Sequence, residues 1–294
     1  MEKWFDEKFE RRNLIRSNKK ENIFIKRRLS ITNWLIIINI LVYLSIVILK
    51  ISGFSENYLL SVFALQANAL FSGSIWMLLT SMFSHFWLPH LFFNIISLFF
   101  IGNFLEKIIG RKKFLWFYLI SGLFAGFFYS ILSFYFGVTN LGARIFVDPN
   151  DYSVGASGAI FGLAGLLAIL TPFMRVYLIA GPIFALILQS FIRTFISGPI
   201  LTLIDFLIMV YIFISIFSIF SFNPIMRKIA IPIEMSFWIL PIVAILPLII
   251  IGLFVQLPIG NTAHLGGLIG GFIYGYYLKI RFRRKIRLLN SYFK

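Results

Sequence analysis

The chain contains no cysteine, which excludes a disulfide framework, a thiolate nucleophile and any cysteine-based metal site. Charge is scarce as well: charged residues make up 13% of the 294, against about a quarter in an ordinary soluble domain. Acids are scarcest, with 11 Asp and Glu facing 27 Lys and Arg for a net charge of +16. No His-Glu-x-x-His stretch occurs and Asp205 is the single aspartate inside a long apolar run, so metalloprotease and aspartyl protease chemistry is disfavoured and no metal or cofactor is expected. What fills the chain is apolar: 60% of the residues, 36 of them Phe, with a mean hydropathy of +0.91. A soluble globular fold is excluded, and lipid is the solvent for most of this surface.

The basic residues flank apolar segments instead of forming a nucleic-acid patch. Ten lie in residues 1–28, four in 107–113 and seven from Lys279 to Lys294, as on the cytoplasmic face of a membrane protein. A helix needs about 20 residues to cross roughly 30 Å of hydrocarbon. Eight runs qualify: 31–49, 86–105, 114–136, 155–173, 176–197, 200–222, 236–257 and 261–280. With both termini cytoplasmic, eight crossings leave only Lys50, Arg144 and Arg193 outside. Six or seven crossings remain open if segments between 176 and 257 lie in the interface or re-enter. No cleaved signal peptide is expected, because the first apolar run follows a strongly charged stretch of about thirty residues. The reading is an all-α, polytopic transmembrane bundle. It divides into a basic N-terminal segment 1–30, helical or lipid-binding, a membrane domain 31–280 and a basic tail 281–294. Residues 50–85 form an outer connection in the membrane interface.

Three histidines exist, His85, His90 and His264, all beside or inside apolar runs, where polar groups are costly. His90 and Asn94 stand one turn apart on a helix face. Taken alone they read as an interhelical clamp. Gly155-Ala156-Ser157-Gly158 follows a polar connection containing Asp148, Pro149, Asn150 and Asp151, and its small residues admit a close helical neighbour. It is not the strand-to-helix elbow of soluble esterases, since Ala159 stands where that motif needs glycine. His264 with Gly267 and Gly271 presents a second small-residue face, and pairing the two faces brings His264 next to Ser157. In the eight-span order Asn94, Ser157 and His264 all fall within about two turns of an outer helix end, at one depth. A serine becomes a nucleophile when a base takes its proton, and preformed donors stabilise the oxyanion that follows. Ser157, His264, and His90 with Asn94 fit those roles, with no acidic third member.

These residues resemble the rhomboid intramembrane serine proteases. The likeness runs from Trp76-Met77-Leu78-Leu79-Thr80 through Ser84-His85 and His90-Leu91-Phe92-Phe93-Asn94 to Glu106 and Gly110. It continues in Gly155-Ala156-Ser157-Gly158 and in Ala263-His264-Leu265-Gly266-Gly267 with Gly271. The resemblance implies Ser157 as nucleophile, His264 as base and His90 with Asn94 as the oxyanion pair, supported by Gly155, His85, Phe161, Gly267 and Gly271, with Glu106 structural. Three departures stand out. Met77 replaces a frequent Arg, Phe161 replaces a frequent Tyr while keeping a ring to pack on His264, and the Ser157–His264 interval is long enough for two added helices. Segment 236–257, with Pro241 and Pro247, is the preferred gating helix.

The function so implied is a serine endopeptidase that cuts in or beside the transmembrane helices of other membrane proteins. Its partners are transmembrane substrates and the lipid bilayer, and its site is a multi-pass protein of the cell membrane. The alternative is a non-catalytic rhomboid-like membrane chaperone. A transporter built around Asp205 ranks third, because an interhelical hydrogen bond accounts for a single carboxylate more simply.

Overall fold

The computed structural model describes residues 29–218, 224–254 and 260–293; the expectations for residues 1–28 lie outside them. The first apolar run becomes helix α1, Ile31–Ile51. Its opening N–H groups have no intrahelical acceptor, and a carboxylate from another helix supplies one. Ile31 N donates to Glu106 Oε1 at 2.9 Å, while Thr32 N and Thr32 Oγ1 donate to Glu106 Oε2, each at 2.9 Å. Glu106 is buried at the far end of α5, Leu88–Ile109. The negative charge faces the positive end of the α1 dipole. Gly102, one turn earlier, clears the way, since a Cβ there would lie 2.8 Å from Thr32 Cγ2. Helix α5 starts with Pro89 in its first turn and widens into a π turn over Leu98–Gly102.

Between α1 and α5 run three short helices, α2 (Glu56–Phe63), α3 (Ala67–Phe71) and α4 (Met77–Thr80). Met77 anchors this connection through apolar packing, buried with Leu65, Leu70 and Tyr129. Helices α6 (Arg111–Phe136) and α7 (Asn140–Phe146) follow. Next comes α8, Ser157–Leu170, at the centre of the molecule, with eleven of its fourteen residues buried. A helix apolar on every side belongs inside a bundle, and α8 packs against α6 and against α13, Asn261–Arg281.

The long interval after α8 stands on a β neck. Strand β1, Arg175–Ile179, pairs antiparallel with β2, Pro232–Ser236, in a register running from Arg175 opposite Ser236 to Ile179 opposite Pro232. Between the strands rise α9 (Ala180–Ile192) and α10 (Pro199–Ser218), followed by the short α11 (Pro224–Arg227). Asp205 is satisfied across this hairpin by Gln189 Nε2 at 2.8 Å and Arg193 Nη2 at 2.8 Å. That is the interhelical role, and the transporter reading loses its motive. Ile212 and Ile216 of α10 pack with Phe92, Phe93 and Ile96 of α5. The neck returns the chain to the end of α8, so α12 (Leu240–Phe254, with Pro247 inside) leads into α13 and then α14 (Arg283–Ser291).

Each of the eight expected segments contains helix. Four of these helices have the length and hydropathy to cross a membrane: Ile31–Ile51, Leu88–Ile109, Arg111–Phe136 and Pro199–Ser218. The segment 176–197 differs from expectation. Its first residues are strand, and the helix begins only at Ala180, because the β-branched and aromatic run Val176-Tyr177-Leu178-Ile179 suits a pleated pairing as well as a membrane helix.

Replacing Glu106 by Ala should lower the melting temperature of the detergent-purified protein. The expected loss is about 2–3 kcal/mol, since three donors at the start of α1 lose a charged acceptor. Glu56→Ala, at an exposed ion pair with Lys50, should change stability by less than about 1 kcal/mol.

Candidate active site

Glycine sets the separation of α8 and α13. A Cβ on Gly267 would collide with the carbonyl oxygen of Gly158, and one on Gly271 with that of Gly162 and, at 2.8 Å, with Leu166 N. On the other side, a Cβ on Gly165 would meet Leu268 O at 2.6 Å. The backbones therefore touch, and the side chains that start each helix are drawn together. Ser157 Oγ and His264 Nε2 lie 2.7 Å apart across 107 residues of sequence. The imidazole lies flat on Phe161, with centroids 4.4 Å apart and planes inclined by 22°. Among the described residues nothing hydrogen-bonds the buried His264 Nδ1, so the ring contact with Phe161 and the Ser157 hydroxyl orient this imidazole.

Ser157 opens α8, and the N–H groups of that first turn have no intrahelical acceptors. The turn before it is held open by Gly155, whose φ of +118° favours glycine. A Cβ on Gly155 would stand 2.7 Å from His90 Cε1, 2.9 Å from His90 Nε2 and 3.6 Å from His85 Nε2. His90 and His85 meet edge to face at 5.0 Å. Asn94 is buried in the same wall of α5, and its Nδ2 donates to the His90 carbonyl at 2.9 Å. One amide N–H thus steadies the helix, and the other remains. His85 is fully buried, and that burial lowers its pKa to about 3, so the ring is neutral.

All nine residues expected at the site thus fall in one region, Gly271 two turns deeper than His264 along the seam. Sequence reasoning missed the clamps on the loop that carries Ser157. Gly155 N donates to Ser81 O at 2.8 Å, and Leu65 and Ser153 exchange two backbone bonds, each of 2.8 Å. Gln66 Nε2 reaches Asn150 O at 2.7 Å and Asn68 N reaches Pro149 O at 3.1 Å. These partners lie some 70–90 positions apart and are mostly backbone atoms, so side-chain identity carries no signal for them.

A membrane-embedded helical bundle with a serine and a histidine in hydrogen-bond contact defines the class of protein. The Rhomboid domain family model matches residues 72–217 and 210–281, and the chain belongs to the rhomboid family. It is similar to the putative rhomboid protease YdcA of Bacillus subtilis (strain 168), 36% identical over 96 residues, covering 32% of this chain and 41% of that protein. It is also similar to the rhomboid protease GluP of the same organism, 37% identical over 122 residues, covering 41% and 21%. The third is the rhomboid protease AarA of Providencia stuartii, 33% identical over 140 residues, covering 46% and 49%. Each match spans less than half of the relative's length.

Gly155→Ala should cost about 1–3 kcal/mol of stability, from a strained φ and a methyl group pressed onto His90. Gly53→Ala, at φ +97° with open space around it, should cost only the backbone part. Paired thermal melts of the two variants measure the difference.

Proposed function

We propose that this protein is an intramembrane serine endopeptidase using a Ser157–His264 dyad to hydrolyse peptide bonds in or beside the transmembrane helices of other membrane proteins. The 2.7 Å contact between Ser157 Oγ and His264 Nε2 carries the reading. In the first step Nε2 takes the hydroxyl proton as Oγ attacks the substrate carbonyl. The resulting oxyanion is met by the Ser157 N–H at the α8 terminus, the second N–H of Asn94 and the His90 ring. The imidazolium, stabilised by the Phe161 face, then protonates the departing amine. Water next hydrolyses the acyl ester with His264 again as base. The fourteen residues of α8 span about 21 Å, short of a roughly 30 Å hydrocarbon layer. That shortness favours a recessed Ser157 reached by water past His85 and His90.

The same reading gives the architecture as a six-helix core of α1, α5, α6, α8, α12 and α13 with a two-helix insertion, eight crossings in all. Both termini are cytoplasmic, flanking segment 1–30 and tail 281–294. With the β neck closing the insertion, α12 directly precedes the His264 helix, which supports it as the gate. A substrate helix shields its own amides, so cleavage should favour segments with small and helix-breaking residues.

The test is an active-site-directed fluorophosphonate, together with cleavage of a model single-span protein in proteoliposomes. Wild type should be labelled and should cut. Ser157→Ala and His264→Ala should lose both, the turnover falling on the order of a thousandfold or more. Phe161→Ala should keep labelling and lose about tenfold in kcat as the imidazolium loses its ring contact. A wild type that folds, binds the model substrate and neither labels nor cuts would identify a non-catalytic, chaperone-like relative.

A further inference from the structure

At the end of α13 remote from His264, the α8–β1 turn and the β2–α12 turn face α14 across a groove of about 860 Å³. Pro172, Phe173 and Trp238 form one wall, with Trp238 N bonded to Pro172 O at 3.3 Å. The other wall carries Lys279, Arg283 and Arg287, four residues apart, above the buried Ile286. Among the described residues no carboxylate pairs with these cations: Glu56, Asp205 and Glu234 face Lys50, Arg193 and Arg175, and Glu106 caps α1. Residues 1–28 hold ten basic and five acidic side chains, an excess of the same sign.

We propose that this groove is a binding site for one anionic phospholipid. The phosphate sits among Lys279, Arg283 and Arg287, and the acyl chains run over Phe173 and Trp238. Three unneutralised cations select charge, and the half-exposed rings select a lipid over a soluble phosphate. A bound lipid would bridge α14 to the neck of the inserted hairpin. The proposal does not depend on the catalytic reading.

Native mass spectrometry of the full chain, delipidated in detergent and offered equal phosphatidylglycerol and phosphatidylcholine, tests it. Wild type should retain one phosphatidylglycerol with a preference on the order of a hundredfold, at about fivefold per cation. The groove triple Lys279→Gln, Arg283→Gln, Arg287→Gln should lose at least about tenfold of that preference. The triple Arg281→Gln, Arg284→Gln, Lys285→Gln has the same net charge and should stay within about twofold of wild type. Arg283→Lys with Arg287→Lys should retain binding, and melting curves of all four proteins report folding. Equal loss in the two triples would reduce the effect to general surface charge and overturn the site. So would equal retention of the two lipids by wild type, or displacement of the bound lipid by inorganic phosphate.

Discussion

Backbone pressed on backbone between α8 and α13 is the contact from which the rest of this molecule follows. A Cβ on Gly267 or Gly271 would strike the carbonyl of Gly158 or Gly162, and one on Gly165 would strike that of Leu268. In lipid there is no hydrophobic gain from bringing apolar helices together, so association rests on close van der Waals contact and polar links. That closeness is also what a proton transfer requires. With Gly267 against the Gly158 carbonyl, the start of α13 has little freedom relative to the start of α8, and Ser157 and His264 are held within hydrogen-bond reach.

Polar groups in such a chain are few, and most of them are spent on holding structure. Glu106 closes the start of α1, Asp205 links the arms of the inserted hairpin, and Ser84, Ser130 and Thr171 each bond a carbonyl one turn back along the chain. Against that pattern the unspent donors and acceptors are conspicuous. Among the described residues His264 Nδ1 is buried without a partner, on the ring that faces Ser157, and Asn290 Oδ1 is another such atom, in α14. Buried polar atoms without partners are costly.

The hairpin of α9 and α10 is tied off at its base. Its two ends are brought together by five paired positions of β1 and β2, so the chain enters and leaves at one place. Its arms satisfy their own carboxylate and rest apolar residues on α5, the helix that carries His90 and Asn94.

Hydropathy alone identified the solvent and the helical class, because burial in lipid demands long apolar runs and these are local properties. The small-residue spacings around Ser157 and His264 likewise announced two faces in need of neighbours, and the family resemblance implied a ring of Phe161 packed on His264. The strand pairing of Arg175–Ile179 with Pro232–Ser236 was not legible. The four apolar residues Val176–Ile179 read equally as strand or helix until a partner more than fifty positions away fixes the hydrogen bonds. Equally hidden were the anchoring of the outer connection by Met77 and the clamp of Gly155 by Ser81. So was the diversion of one Asn94 donor to the His90 carbonyl. Those are choices among backbone and side-chain partners distant in sequence, and only the closed fold, by bringing the partners within 3 Å or so, selects between them.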